Sequence, residues 1–392
     1  MVMNRIWFLP KKTGVKRILF HAINHVGLGH INRSIAVAQW LKAGIPDLQV
    51  LFLIEGGEDF IEPTGFPWIF VPGQPTESEN CEQITRNVLN VFQPDLAIIE
   101  TRMREQIHRP IRDAGVREVL MGNVGDLLRS QLRENLETMN EVDLFLVLQR
   151  QEEVQPSDQE LISHYTGKIV YAGPLVRQKN LVSHENLRQK LGLTNEHKVI
   201  LATFGGGGWD ITRYLLAGLL AAKEQILAHE PNARLVVITG PHFNSDLPPV
   251  DDFVCYASRF EPFITDYLNI ASSVVCMAGY STVNEVAASG IPAICIPAPE
   301  AEDQVGAGGM GEYALSFPNF VLSGTDADEL ARKVIDALAR ERDLSITNEF
   351  WQRAGLASQS IIHEIEDLLV MNPRIECGGL QRGQVPICKP WT

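Results

Sequence analysis

Long apolar runs and paired cysteines are both missing from this sequence, and each absence narrows the class of protein. No apolar run reaches the ~20 residues that a membrane-spanning helix needs. The six cysteines, at positions 81, 255, 276, 295, 377 and 388, include no CxxC pair. We therefore expect a soluble, cytoplasmic protein whose cysteines are reduced.

Positive charge is scarce as well. The formal net charge is −14 at pH 7, which disfavours nonspecific nucleic-acid binding because that binding depends on Lys and Arg neutralising phosphates. No DxD-like metal-binding pair accompanies the motifs described below, so we expect neither a metal nor another cofactor. At 392 residues the chain is too long for one typical core, and ~150 residues per domain predicts two domains.

Short strands and helices alternate along the first part of the chain. A helix is predicted over 31–43, and strands are predicted over 17–24, 49–54, 68–71, 96–100, 118–121 and 144–148. This alternation predicts an α/β fold with a parallel sheet covered on both faces, which binds ligands at the carboxyl ends of its strands.

A polar segment at 151–196 breaks this rhythm, although KIVYAGPLV within it is compatible with one more strand. A second alternating series then begins at Lys198, with a predicted helix over 211–229, a strand over 234–239 and further helices over 326–371. We therefore predict these units: 1–172 as the N-terminal domain, 173–196 as a linker, 197–371 as the C-terminal domain and 372–392 as a tail.

The stretch 272–304 reads as a strand, a tight turn, a short helix and a second strand. Ser281 or Thr282 is expected to cap the helix, Glu285 to lie in its first turn and Gly290 to end it. The unpaired amides at such a helix start can bind a phosphate without a lysine, and a carboxylate near that start can accept hydrogen bonds from the hydroxyls of a ribose. An ordinary turn glycine and a carboxylate that merely interacts with the helix dipole would give the same pattern.

Two further segments suit a sugar nucleotide. The four glycines at 205–208, between a predicted strand and helix, let the backbone approach a ligand closely. They form neither a Walker loop nor a well-spaced dinucleotide motif. The loop 297–304 (PAPEAEDQ) carries carboxylates and an amide that suit the hydroxyls of a sugar.

Four segments together resemble the GT-B glycosyltransferases, especially the MurG-type N-acetylglucosaminyltransferases. They are GLGHINRSIAVA, ATFGGGGWD, FEPFITDYLNIASSVVCMAGYSTVNEVAASGIPAICIP and Glu302-Asp303-Gln304. The resemblance implies two facing Rossmann-like domains, of which the second holds a nucleotide-sugar donor and the first an acceptor. The acceptor is expected to be a small molecule, a lipid or a glycan, and a lipid acceptor would require peripheral contact with a membrane.

The resemblance also assigns roles. His30 matches the candidate catalytic base, and Glu100, at the end of a predicted strand, is placed to orient it. The residues expected to bind the donor are Gly29, Gly205, Gly206, Gly207, Gly208, Gly279, Tyr280, Ser281, Thr282, Glu285, Asp303 and Gln304. His25 is a rival base and His21 is expected in the core. A further pair, Asp126 and Arg129, is a candidate for the acceptor side.

Two positions depart from the MurG pattern. Met277 replaces a basic residue, and Arg33 replaces a proline. The G-L-G-H-x-x-R form is similar to that of a neighbouring group, which includes the nucleotide-sugar hydrolase of pseudaminic acid synthesis. The expected function is metal-independent transfer of a sugar from a UDP- or TDP-sugar to an acceptor hydroxyl. A nucleotide-sugar hydrolase and a non-catalytic nucleotide-sugar-binding protein remain the alternatives.

Overall fold

The computed structural model describes residues 14–24, 28–56, 64–71, 78–123, 132–177, 183–257, 259, 261, 263–301, 304–305 and 309–371. The strands in these ranges are β1 Arg17–Asn24, β2 Gln49–Gly56, β3 Trp68–Val71, β4 Leu96–Glu100, β5 Arg117–Gly122, β6 Leu144–Val147, β7 Lys168–Tyr171, β8 Lys198–Thr203, β9 Ala233–Ile238, β10 Val254–Tyr256, β11 Ser273–Met277, β12 Ala293–Ile296 and β13 Phe320–Leu322. The helices are α1 Gly29–Gly44, α2 Ser78–Phe92, α3 Glu105–Asp113, α4 Leu136–Asn140, α5 Pro156–Ile162, α6 His184–Lys190, α7 Ile211–Ala221, α8 Lys223–His229, α9 Ile264–Ile270, α10 Tyr280–Ser289, α11 Met310–Leu315, α12 Ala327–Leu338 and α13 Leu344–Val370.

The first seven strands form one parallel sheet in the order β3-β2-β1-β4-β5-β6-β7. The chain builds outward from β1 to β3 and then returns to the other side of β1 as β4. The direction of winding therefore reverses between β1 and β4, which is where open parallel sheets bind their ligands.

The second sheet repeats this plan. Its order in the described part of the chain is β10-β9-β8-β11-β12-β13, again with parallel pairing throughout. Its winding reverses between β8 and β11. The prediction of two Rossmann-like units with parallel sheets is confirmed.

The inner strands are almost wholly apolar because helices cover both faces of each sheet. All five residues of β4 (LAIIE) and of β11 (SVVCM) are buried. Cys276 and Cys295 lie side by side on β11 and β12 as free, buried thiols. The two cysteines of the predicted tail, at positions 377 and 388, lie outside the described residues.

The last helix, α13, packs against both cores. Phe350 and Ala354, in its first half, lie in a core of the second sheet, whereas Ile361 and Ile365, in its second half, lie in a core of the first. None of the helices in the described ranges has the length and hydropathy needed to cross a membrane.

Two details differ from the sequence prediction. The predicted helix over 211–229 is interrupted at Ala222 and forms α7 and α8. Strands β10 and β13 were not predicted because each has only three residues, too few to show a periodic pattern. Strand β7 lies within KIVYAGPLV, the segment compatible with one more strand, and completes the first sheet.

Candidate active site

His30 and Glu100 meet where the winding of the first sheet reverses. His30 is the second residue of α1, and Glu100 is the last residue of β4, the neighbour of β1. His30 Nδ1 lies 2.6 Å from Glu100 Oε2. The histidine side chain is 24% exposed and the glutamate side chain is fully buried, so the imidazole is the member of the pair that can meet a substrate.

Arg33 and Thr101 bind the other carboxylate oxygen of Glu100. Arg33 donates to Oε1 from Nε at 3.0 Å and from Nη2 at 2.5 Å, and the Thr101 hydroxyl donates to it at 3.0 Å. Burial raises the pKa of Glu100, but the charges and hydrogen bonds of Arg33 and His30 outweigh it and lower this pKa to about 2. Glu100 is therefore ionised at neutral pH and accepts a hydrogen bond from the Nδ1–H of His30.

Thr101 has a strained backbone. Its φ is +61°, a left-handed value that is unfavourable for a β-branched residue. The chain keeps this conformation directly after Glu100, which is consistent with a functional constraint at that residue. The sequence analysis did not predict that Thr101 and Arg33 bind Glu100. His30 and Arg33 are three positions apart in a helix, and this spacing would have placed their side chains on one face.

A second polar cluster lies next to this pair at the carboxyl end of the same sheet. Glu55, at the end of β2, is fully buried and pairs with Arg104 at 2.8 Å and with Arg102 at 3.8 Å. Burial raises the pKa of Glu55, against the lowering effect of the two arginines. His21 is buried in β1 as predicted, and burial with nearby positive charges lowers its pKa to about 3.

The glycine turn after β8 has one crowded and one open position. Gly207 has φ +76°, and a Cβ there would collide with the Thr239 carbonyl oxygen. Gly205 has φ +61°, but its Cβ position meets no atom within 4 Å. Gly206 is buried and Gly208 is exposed. The turn therefore requires a glycine at Gly207, whereas the space beside Gly205 is open.

Helix α10 begins without a side-chain cap. Its N-cap is Gly279, so the prediction that Ser281 or Thr282 caps it is wrong: both lie in its first turn and are half-buried. A Cβ on Gly279 would meet only the Thr282 hydroxyl, at 3.9 Å. Strands β8 and β11 are parallel neighbours. The first backbone amides of α10, which follows β11, therefore lie beside the glycine turn, which follows β8.

Glu285 lies in the second turn of α10, not in the first as predicted, and is 2% exposed. Its two oxygens accept hydrogen bonds from Arg177 Nε at 2.5 Å and Nη2 at 2.8 Å. Arg177 Nη1 also donates to Asn32 Oδ1 of α1 at 3.1 Å. This guanidinium thus links α1 to α10, and a ribose that used Glu285 would have to share it with Arg177 or displace Arg177.

The remaining predicted donor residues differ in their surroundings. The Tyr280 hydroxyl donates to the carbonyl oxygen of Leu148 in the first domain. Gln304 is buried, and its Oε1 accepts from the amide of Ala298 at 3.0 Å. Gly29 is half-buried at the start of α1. Four other candidates, His25, Asp126, Arg129 and Asp303, lie outside the described residues.

The described residues include no group of three or more His, Cys, Asp or Glu side chains close enough together to hold a metal ion.

Comparison with known proteins gives consistent results. Residues 210–306 match a family model described as the glycosyltransferase family 28 C-terminal domain. The chain is 26% identical, over 69% of its length and 75% of the relative, to UDP-N-acetylglucosamine--N-acetylmuramyl-(pentapeptide) pyrophosphoryl-undecaprenol N-acetylglucosamine transferase of Acetivibrio thermocellus. It is 38% identical to the protein of the same name from Corynebacterium glutamicum, over 39% of this chain and 40% of the relative.

Solved structures show the same fold. Arabidopsis thaliana UGT89C1 complexed with UDP superposes with a TM-score of 0.63 at 13% identity, covering 91% of this chain and all of that one. The glycotransferase of kitacinnamycin superposes with a TM-score of 0.58 at 13% identity, covering 91% and 99%.

The fold and the sequence matches together define a glycosyltransferase of the GT-B fold. Within that class the chain is similar to MurG: the relatives named above are N-acetylglucosamine transferases of that type, and the matched family model includes the stretch 272–304.

Proposed function

We propose that this protein transfers a sugar from a UDP- or TDP-sugar to an acceptor hydroxyl without using a metal ion. The observation that carries the proposal is the 2.6 Å contact between His30 and Glu100 in the first domain. His30 lies on α1, and Arg177 links α1 to α10 of the second domain, the helix that the resemblance assigns to donor binding. The names of the relatives support a UDP-sugar donor, as does a structural neighbour that binds UDP.

His30 acts as the general base in this proposal. Because its Nδ1–H is donated to ionised Glu100, the lone pair of Nε2 is available for a proton. Nε2 removes the proton of the acceptor hydroxyl while the hydroxyl oxygen bonds to the anomeric carbon of the sugar. The bond between that carbon and the diphosphate oxygen breaks, and the bonding electrons leave with the diphosphate.

Backbone amides receive the leaving diphosphate. The uncapped start of α10, at Ser281 and Thr282, and the open glycine turn at Gly205 are adjacent at the carboxyl ends of β11 and β8. Fixed N–H groups at a helix start stabilise growing negative charge without rearranging. They would do so here without the basic residue that Met277 replaces. In the same proposal Glu285 binds the ribose, and Asp303 and Gln304 bind the donor sugar.

A nucleotide-sugar hydrolase is the second candidate. The observation in its favour is Arg33, which completes the G-L-G-H-x-x-R form and binds Glu100 directly. Water would take the place of the acceptor hydroxyl, and the same base and helix would serve. Incubation with donor alone separates the two: rapid release of free sugar indicates the hydrolase, whereas release that requires an added acceptor indicates the transferase.

The proposal places the enzyme in the cytoplasm. The acceptor of the curated relatives is attached to undecaprenol, as their names state, and a lipid acceptor would bring this chain to a membrane surface. Cosedimentation with vesicles tests that contact: binding that requires acidic phospholipid supports it, and no binding to any vesicle contradicts it.

A thermal-shift screen of nucleotide sugars tests the donor. A ligand that binds only the native state raises the melting temperature, so UDP- or TDP-sugars should raise it, and ADP- and GDP-sugars should have a smaller effect. No shift with any uridine or thymidine nucleotide sugar would contradict the proposed donor class.

A further inference from the structure

Arg33 contacts both members of the His30–Glu100 pair. It lies in α1 and is 5% exposed. We propose that Arg33 is the positioning residue of this pair: it fixes the carboxylate of Glu100, so that His30 keeps its proton on Nδ1 and the lone pair of its Nε2 is free. This inference rests on the proposed function, because it concerns the residue assigned there as the base.

The carboxylate oxygens of Glu100 are divided between two tasks. Oε1 accepts two hydrogen bonds from Arg33 and one from Thr101, and Oε2 faces His30 Nδ1. A carboxylate held by His30 alone could rotate about its terminal bond. With Oε1 held by three N–H and O–H groups, Oε2 points in one direction, and the imidazole plane is fixed with it.

The contacts select the tautomer of the imidazole. Nδ1 is 2.6 Å from a carboxylate oxygen, a contact that requires a proton between the two atoms. Arg33 Nη2 is 2.8 Å from the same Nδ1, so the guanidinium packs against the ring while it binds the carboxylate. Glu100 therefore places the proton on Nδ1, and Arg33 fixes the carboxylate that accepts it.

Three other charged or titratable groups interact electrostatically with Glu100 or Arg33. They are His21 on β1, Arg102 after β4 and Tyr280 on α10. The pKa of His21 is lowered to about 3 and that of Tyr280 is raised, in both cases mainly by burial. Neither of these two groups therefore changes charge between pH 5 and 8.

A purely structural explanation accounts poorly for Arg33. A buried ion pair rarely stabilises a protein more than apolar side chains of the same size would. Here the pair also adjoins Thr101, whose left-handed φ of +61° is itself unfavourable. The buried ion pair and the strained Thr101 both adjoin Glu100. Both hold its carboxylate so that Oε2 faces His30.

The test is an NMR measurement of the His30 tautomer in the full chain at one fixed pH, with the ring-nitrogen signals assigned by comparison with H30Q. In R33M, loss of the fork frees the Glu100 carboxylate, and the preference for the Nδ1–H tautomer should weaken. R33K keeps the charge but loses the fork, so it should weaken this preference as well. R33K also serves if R33M does not fold.

The control is R117M. Arg117 is paired with Asp143 at 3.0 Å at the amino-terminal edge of the same sheet, and its loss should leave the His30 tautomer unchanged. An unchanged tautomer in both R33M and R33K would overturn the proposal.

Kinetics provide the second readout. With an active donor, R33M should lower kcat by roughly 100-fold with little change in donor KM. A rise in donor KM that accompanies the fall in kcat would indicate a structural role instead. If the wild-type protein turns over no nucleotide sugar, the proposed function fails, but the NMR measurement of the tautomer still decides the role of Arg33.

Discussion

Arg177 donates hydrogen bonds to both carboxylate oxygens of Glu285, and both side chains are at most 5% exposed. The same guanidinium reaches Asn32 in the other domain. The residue that the resemblance assigns to the ribose is thus held by a link between the two domains. In the proposed function, donor binding and the contact between the domains use the same carboxylate.

Breaking this pair should be costly. R177M leaves a buried carboxylate without its partner and should lower the free energy of unfolding by about 3–5 kcal/mol. The double variant R177M/E285Q removes the charge and should recover part of that loss. Urea unfolding measures both. The control R353M removes an exposed pair with Glu349 and should cost less than about 1 kcal/mol. Equal effects of R177M and R353M would contradict the importance of the buried pair.

Glu285 should also contribute to donor affinity. E285Q keeps the size of the side chain but weakens acceptance from ribose hydroxyls, so the Kd of UDP should rise about tenfold. Calorimetric titration measures the Kd, with E349Q on the surface of α13 as the control. An unchanged Kd in E285Q would assign Glu285 to the domain link alone.

The glycine turn offers a matched pair of substitutions. G205A has φ +61° but open space around it, so it should fold at a cost of about 1–2 kcal/mol and weaken binding of the diphosphate. G207A should destabilise the fold further, because its Cβ would collide with the Thr239 carbonyl oxygen. Thermal unfolding and UDP binding are measured on both. If G205A bound UDP as tightly as the wild type, the turn would not be part of the phosphate site.

Buried His21 should make stability depend on pH. Its pKa is lowered from 6.5 to about 3 in the folded state, so the unfolded chain binds the proton more readily. The stability that neutral His21 contributes is present above pH 6.5 and is lost as the pH falls from 6.5 towards 3, by up to about 1.4 kcal/mol per pH unit.

The variant H21N should therefore show a shallower fall in stability over this pH range, measured by urea unfolding at several pH values. H363N, in which an exposed histidine is replaced, should follow the wild type. The account of His21 is wrong if H21N and the wild type lose stability in parallel.

The sequence was sufficient to predict two parallel sheets, without the short strands β10 and β13, and to predict that Glu100 lies close to His30. Strand β4 is a continuous apolar run that ends in Glu100, and parallel alternation places such an end beside the turn after β1. The Arg177–Glu285 pair could not be predicted in this way, because its members are 108 positions apart and only tertiary packing brings them together. The start of α10 was misplaced because hydroxyl residues usually cap helices, whereas here a glycine precedes the helix.

The most direct test of the central claim compares the wild type with H30N, using the nucleotide sugar found by the thermal-shift screen. We expect H30N to bind the donor within about threefold of the wild-type Kd, since His30 belongs to the first domain, and to turn over roughly 100- to 10,000-fold more slowly. Wild-type turnover in H30N, with the donor still bound, would contradict the assignment of His30 as the base.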